Sequence, residues 1–341
     1  MSSGPAVVLW LGVVIAGIAA MQWGAARVCA LFGTLRRHWG LPATAGGVLL
    51  GLATASPEVS VNVASVAFGW PDLGLGAALG SNVPALPLIF AVSYASTRWH
   101  RRGRAEEGGA RSPEPRDGGE APSPVPRVQP DAVDVQALPY LLVLLLLALL
   151  SLPPRWAGLQ PIDGLLLLLA FALYFVRALR RSREVDPCGV PRRALLSALI
   201  GLPVIAGGAV AAVMAARRLD ETLGIPDLVG GLFVIGLLCA LPEAFAAWRL
   251  SHEGRATGAV SSAVADGVVS LTVALVPLAV VGATIGNAAL YAVNLAFIAL
   301  VLLAYIVMSH RRRGTELALG RVLIFGGGYG AYLAVTVAIL T

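Results

Sequence analysis

Residues 46–58 read GGVLLGLATASPE and residues 231–243 read GLFVIGLLCALPE. Both are apolar runs ending in Pro-Glu, and they lie 185 positions apart. Carried on to residues 86 and 271 without a gap, that offset gives ten identities, among them Gly51/Gly236, Ala55/Ala240, Pro57/Pro242 and Glu58/Glu243. Matches of Gly, Ala, Leu and Val carry little weight in this composition. Two Pro-Glu pairs at one offset carry a great deal, and they mark the chain as an internal repeat whose copies each place a proline and an acid inside an apolar helix.

The surrounding sequence explains where such helices can live. Of 341 residues 57% are hydrophobic and 13% charged, with a mean hydropathy of +0.79. A soluble domain carries about a quarter charged residues, and no single aqueous core hides this much Leu, Ala and Val. Soluble enzyme folds are excluded, and the lipid bilayer is the expected partner. At about 20 apolar residues per crossing, ten spans are expected: 5–31, 42–68, 73–96, 137–152, 162–179, 194–216, 226–250, 258–281, 285–308 and 316–340. The fold class expected is an all-α polytopic membrane protein.

The net charge of +6 comes from 25 basic residues, all of them Arg. Their placement alternates between spans, so the charge reads as topology and gives no reason to expect nucleic acid. Arg27, Arg36, Arg37, the Arg residues of 98–127 and 177–193, Arg249, Arg255 and Arg311–Arg313 fall on one side. Arg155, Arg217 and Arg218 fall on the other, with Arg321 at the start of the tenth span. By the positive-inside rule the Arg-rich side is cytoplasmic, which puts both termini outside in a multi-pass cell-membrane protein. Five spans per half then make the second half enter the membrane upside down. The first repeat covers 1–96 and 137–181 with its motif at 46–86, and the second covers 194–341 with its motif at 231–271. Residues 182–193 are the linker. The stretch 97–136, rich in Arg, Glu, Pro and Gly, reads as a disordered cytoplasmic loop. Cys29, Cys188 and Cys239 are too far apart in sequence for a metal or disulfide motif, and no resident cofactor is expected.

Inverted repeats are the mark of alternating-access transporters, with the site at the repeat interface near the bilayer midplane. A proline inside a spanning helix removes a donor and frees a carbonyl. Helices 2 and 7 are therefore expected to break at Pro57 and Pro242, turning the carbonyls of Ala53 to Ser56 and Leu238 to Leu241, those of Ala55 and Ala240 included, toward a cation. Only Glu58, Glu243 and Asp266 among the acids fall well inside the spans. An ionisable group there costs about 2.5 kcal/mol or more and is functional by default. Carboxylate and carbonyl oxygens together suit hard cations, so these three are the expected metal ligands. Asp266 is offset-paired with Ser81, and Ser270 lies one turn on, on the same face. Asn62, one turn after Glu58, can orient that carboxylate or join two helices. His38, His100, His252 and His310 fall outside the mid-membrane, and no HExxH, GxSxG or paired-Asp motif is present, which speaks against an intramembrane enzyme.

The residues from Gly46 to Leu86, with Pro57-Glu58 and the run WPDLGLGAALGSNVPA at 70–85, resemble the first alpha repeat of sodium/calcium exchangers in the calcium/cation antiporter superfamily. Residues 231–271, with CALPE and SSAVADGVVS, resemble the second repeat more loosely. The resemblance implies ten helices with both termini outside, a calcium site made by Glu58 and Glu243, and cation ligands at Thr54, Ser81 and Asn82. It also marks departures. Ala55 stands for a Ser, Cys239-Ala240 for a Thr-Ser, Ala85 for an Asn and Asp266 for a Ser. Some members carry an Asp where Ser270 stands; here the acid lies one turn earlier. The lost hydroxyl and amide ligands leave sodium or protons as the counter-ion for calcium or another cation. A cation uniporter or channel, and a transport-inactive scaffold or sensor, are the alternative readings.

Overall fold

The computed structural model describes residues 3–38, 51–106, 127–128, 137–153, 158–180, 192–252, 256–310, 315–316 and 319–341. It is all-helical apart from a two-residue antiparallel ladder that joins Arg127–Val128 to Thr315–Glu316. The helices are α1 Ser3–His38, α2 Ser56–Ala67, α3 Pro71–Glu106, α4 Leu138–Ser151, α5 Pro161–Arg180 and α6 Arg192–Leu223. They continue with α7 Asp227–His252, α8 Ala256–Ser270, α9 Val276–Val280, α10 Ala288–His310 and α11 Leu319–Leu340. Seven described segments are long and apolar enough to cross a membrane, and the chain is a multi-pass membrane protein. Each expected span is helical over most of its described length; residues 42–50 of the second lie outside the described residues.

Glycine sets how closely the helices approach. A Cβ added at Gly24 would lie 2.6 Å from the Gly201 carbonyl oxygen and 3.3 Å from the Ile205 nitrogen. One added at Gly208 would lie 2.6 Å from the Gly17 oxygen and 3.1 Å from the Met21 nitrogen. The two contact sets map onto each other by a shift of 184 residues, so α1 and α6 cross antiparallel and in the same way from either partner's side. The central motifs keep the shift of 185. Gly51 packs on Ala265, with its Cβ position 3.4 Å from the Ala265 carbonyl, and Gly236 packs on Gly80. The packing thus carries the same internal relation as the sequence. Without side chains, such backbones sit close enough for dispersion contacts to hold the bundle in lipid, where hydrophobic burial supplies no drive.

These contacts fix the two ends of the bundle. Arg27 lies beside Gly201 near the start of α6, and the Ser96 hydroxyl of α3 bonds the Trp248 carbonyl of α7 at 2.9 Å. At the opposite end Arg217 of α6 lies over Trp70 and pairs with Asp227 of α7. One end therefore gathers Arg27, Arg98 and Arg249, and the other Trp70 and Asp227.

Three expectations need correction. The chain does turn at Ala55, between a helical turn at 51–54 and α2, but hydrogen bonds run through it, Ala55 N–H to Gly51 at 2.9 Å and Val59 N–H to Ala55 at 3.0 Å. Pro57 occupies the first turn of α2, where a missing N–H costs nothing. The Ala53 carbonyl that it frees takes the Ser56 hydroxyl at 2.7 Å. Secondly, α7 runs unbroken through Pro242, and its irregular turn is a π-helix at Gly231–Gly236 instead. A π-turn, with its extra residue, brings positions five apart toward one face, and Gly231 and Gly236 both pack on α3. Thirdly, α3 continues to Glu106, where the long loop was expected from residue 97; Arg98 bonds Tyr94 one turn back at 2.8 Å. The rest of that loop, apart from residues 127–128, and linker residues 182–191 lie outside the described residues.

Gly24→Ala and Gly208→Ala should each lower the thermal midpoint of the detergent-solubilised protein by the equivalent of about 1–3 kcal/mol, the usual cost of overpacking. Gly12→Ala, with nothing within 4 Å of its added carbon, should leave the midpoint unchanged or slightly raised; equal effects at all three would show that the seam does not set the packing.

Candidate cation site

The segment 51–67 and α8 run side by side in the same direction, joined by three rungs one turn apart. Thr54 Oγ1 donates to Asp266 Oδ1 at 2.8 Å, Ser270 Oγ donates to Glu58 Oε2 at 2.8 Å, and Asn62 Nδ2 donates to the Ala274 carbonyl at 2.5 Å. The third rung exists because α8 ends at Ser270 and passes through a 3₁₀ turn, Val273–Leu275. Pro277 has no N–H to close the next i→i+3 bond onto Ala274. Glu58 and Asp266 are 4% and 7% exposed.

Shifted by 185, the same three rungs fall between α7 and α3 as Cys239/Ser81, Glu243/Ala85 and Ala247/Ile89. No polar pair forms there. Ser81 and Asn82 bond back onto the Ala78 carbonyl of their own helix at 3.1 and 2.7 Å. Cys239 and Ala240 are buried in continuous α7, and Ala55 is fully buried with its carbonyl engaged by Val59. Glu243 Oε2 is buried with no hydrogen-bond partner among the described residues. By the shift of 185, Ala85 holds the sequence position that corresponds to Ser270, the donor to Glu58.

The three carboxylates are near enough to repel one another, Asp266 acting on both Glu58 and Glu243. They do not converge on a point: among the described residues no three His, Cys, Asp or Glu side chains are placed to hold one metal ion. What Glu243, Asp266 and Thr54 share is a cavity of about 200 Å³. It follows α7 past Ala247 to Leu250 and α1 past Gln22 to Cys29, toward the Arg27 and Arg249 end of the bundle. Glu58 is absent from its wall and sits behind, on Ser270.

A buried acid cluster beside a one-sided cavity, at the junction of two copies of one motif, is the arrangement of an ion carrier. The sequence profile of the family described as sodium/calcium exchanger protein matches residues 9–180. The chain belongs to the sodium/calcium exchanger family. Its fold is that of the sodium-calcium exchanger NCX_Mj. A structure of that protein soaked with 2.5 mM Na⁺ and 0.1 mM Sr²⁺ superposes with a TM-score of 0.62 at 18% identity, covering 96% of this chain and 99% of that one. Structures soaked with 10 mM Na⁺ and zero Ca²⁺, and with zero Na⁺ and Ca²⁺, give 0.60 at 17% and 0.59 at 16%, over the same shares. No curated protein matches the sequence significantly. Membership makes this exchanger a cation antiporter, a transporter class and not an enzyme class.

Two groups of this exchanger's site escape a reading of the repeats alone. Tyr140 of α4, buried, donates its hydroxyl to Asn82 Oδ1 at 2.6 Å and lays its ring on Gly267, next to Asp266. Its signal is a single hydroxyl at the head of the run LPYLLVLLLLALL, since a buried Tyr hydroxyl seeks a partner. Gln22 and Cys29 bring α1 into the cavity wall, and the one amide of α1, Gln22, is the readable part of that.

The unequal rungs predict opposite effects of one hydroxyl. Ser270→Ala should destabilise the detergent-solubilised protein by about 1–3 kcal/mol, because it takes a donor from a buried carboxylate, and Ala85→Ser should stabilise it by roughly 1 kcal/mol by giving Glu243 a donor. Thermal unfolding checks both, and a neutral Ala85→Ser would show that Glu243 does not turn to that position.

Proposed function

We propose that the chain is a secondary active antiporter that exchanges calcium, or another hard cation, for sodium or protons by alternating access. It works as two inverted five-helix repeats, ten crossings in all, with both termini outside the cell membrane. The observation that carries this reading is that Thr54 from the first repeat and Glu243 and Asp266 from the second line one cavity that runs toward one end of the bundle only.

The ligands follow from donor chemistry. Calcium takes six to eight oxygens. Glu58, Glu243 and Asp266, which stand apart in this structure, offer up to six once an ion draws them together, and a hydroxyl that donates its proton to a carboxylate keeps its lone pairs for a cation. Thr54 and Ser270 can serve both partners in that way. Ser81, which lies alongside Glu58, and Asn82, at the next position, stand on the facing helix. Ala55, Cys239 and Ala240 offer only backbone carbonyls that are engaged in helix, apart from the one thiol. Coupling follows from charge. Three uncompensated carboxylates cannot be carried through a low-dielectric core, so the site reorients when a cation or protons neutralise it, and one ion leaves in exchange for another. The poverty of neutral ligands in the second repeat favours protons as a sufficient counter-ion beside sodium.

Calcium uptake into proteoliposomes, measured with and without an opposing sodium gradient at two pH values, tests the reading. Uptake should need one of the two gradients, and a steady calcium current with neither would identify a channel. Glu58→Gln and Glu243→Gln should abolish uptake, and Asp266→Asn should reduce it at least about tenfold, each in folded protein, since an amide keeps the shape and loses the charge a divalent ion needs.

A further inference from the structure

Two buried polar atoms lie beyond the carboxylates on the side away from the cavity. Asn62 Oδ1 and Ser65 Oγ belong to residues of 0% exposure, and neither has a hydrogen-bond partner among the described residues. They continue the Glu58 face of α2 by one and two turns, in the direction of Trp70. Both look at the same bare spot on α3: a Cβ added at Gly74 would lie 2.6 Å from Asn62 Oδ1 and 3.1 Å from Ser65 Oγ. The Asn62 amide nitrogen is used on Ala274, so its oxygen is the free half of that side chain.

A structural contact gives no reason to keep two unsatisfied oxygens in the middle of a membrane protein, where an apolar pair would pack as well. The internal relation gives one. Shifted by 185, Glu58, Asn62 and Ser65 become Glu243, Ala247 and Leu250, and all three of these line the open cavity. We infer that Asn62 and Ser65 line the second route to the carboxylates, a polar half-channel from the Trp70 end, closed here by the seating of α2 on Gly74. The inference rests on the alternating-access reading above and adds to it the side chains of the second access path and their polarity. The two routes then differ in which helices supply their oxygens: the open cavity has Gln22 of α1 and Ser262 of α8 beside the apolar Ala247 and Leu250 of α7, whereas on the Trp70 side α2 itself presents an amide and a hydroxyl oxygen, ligands suited to a hard cation.

The test reads sidedness. In Ser65→Cys, a one-atom change, a membrane-impermeant cationic methanethiosulfonate is added to vesicles from one side at a time, and modified residues are identified by mass spectrometry. Native Cys29, in the wall of the open cavity, reports access from the Arg27 end. The thiol introduced by Ser65→Cys should react only from the opposite side, and more slowly under saturating calcium. An introduced thiol that reacts from neither side, or from the same side as Cys29, overturns the inference. Asn62→Leu in the exchange assay gives a second readout: the apparent KM for calcium should rise roughly tenfold, the loss of one contact to a charge, when calcium is presented at the Trp70 side, and stay unchanged at the other. An equal rise on both sides would assign Asn62 a packing role and overturn its place in the route. Should the Ser65→Cys protein label as expected while neither it nor the unmutated protein exchanges anything, the antiport reading falls while the route stands.

Discussion

A carboxylate in a membrane-spanning bundle costs several kcal/mol unless something donates to it or neutralises it. The core of this exchanger is organised around how its three are treated. Asp266 and Glu58 each receive one hydroxyl, from Thr54 and Ser270, across a single pair of parallel segments. Glu243 keeps a buried oxygen without a partner among the described residues. That inequality leaves Glu243 and Asp266 in the wall of the open cavity, with Glu58 behind them on Ser270.

The inequality is possible because the backbone is nearly symmetric and the side chains are not. Gly17, Gly24, Gly201 and Gly208 make the crossing of α1 and α6 the same from both sides, and Gly51 and Gly236 do so for the central helices. On that repeated frame the three polar rungs lie between the 51–67 segment and α8 with the turn that follows it, and their counterparts between α7 and α3 set Cys239 against Ser81, Glu243 against Ala85 and Ala247 against Ile89. The close helix contacts are thus held in both copies, while the polar side-chain pairs concentrate in one interface.

Much of this was legible in the sequence, and the reasons are physical. Hydropathy located the helices, seven of which are long and apolar enough to cross a membrane among the described residues, because backbone groups in lipid must be satisfied within the helix. The repeated Pro-Glu pointed to two acids of the candidate site, and the third stood out because acids in apolar helices are rare. What the sequence misplaced were local backbone outcomes that neighbours decide. Pro57 does not leave Ala53 open, because Ser56 folds back onto it. Pro242 does not break α7, and the irregular turn moves to Gly231–Gly236, where two glycines must reach α3 together. The cavity was not legible at all. It is built from α1 with α7 and α8, and no spacing within a motif reports on a helix from outside it. Tyr140 is intermediate: its need for a partner is readable, while Asn82 as that partner comes from packing.

The displaced acid of α8 shows why ligand positions cannot be counted without their partners. Had the carboxylate stood at position 270, it would face Glu58 on the same rung, in the place from which Ser270 now donates at 2.8 Å. Two carboxylates at that separation tolerate each other only with a proton or a cation between them. Moving the acid back one turn sets it opposite Thr54, which can donate, and leaves a hydroxyl opposite Glu58. The number of carboxyl groups stays at three, but each rung of the ladder now pairs an acceptor with a donor. The core can then pack around Glu58 and Asp266 with both carboxylates held by the protein itself. Glu243, whose counterpart of Ser270 is Ala85, keeps one oxygen without a partner among the described residues, and it stands with Asp266 in the wall of the open cavity.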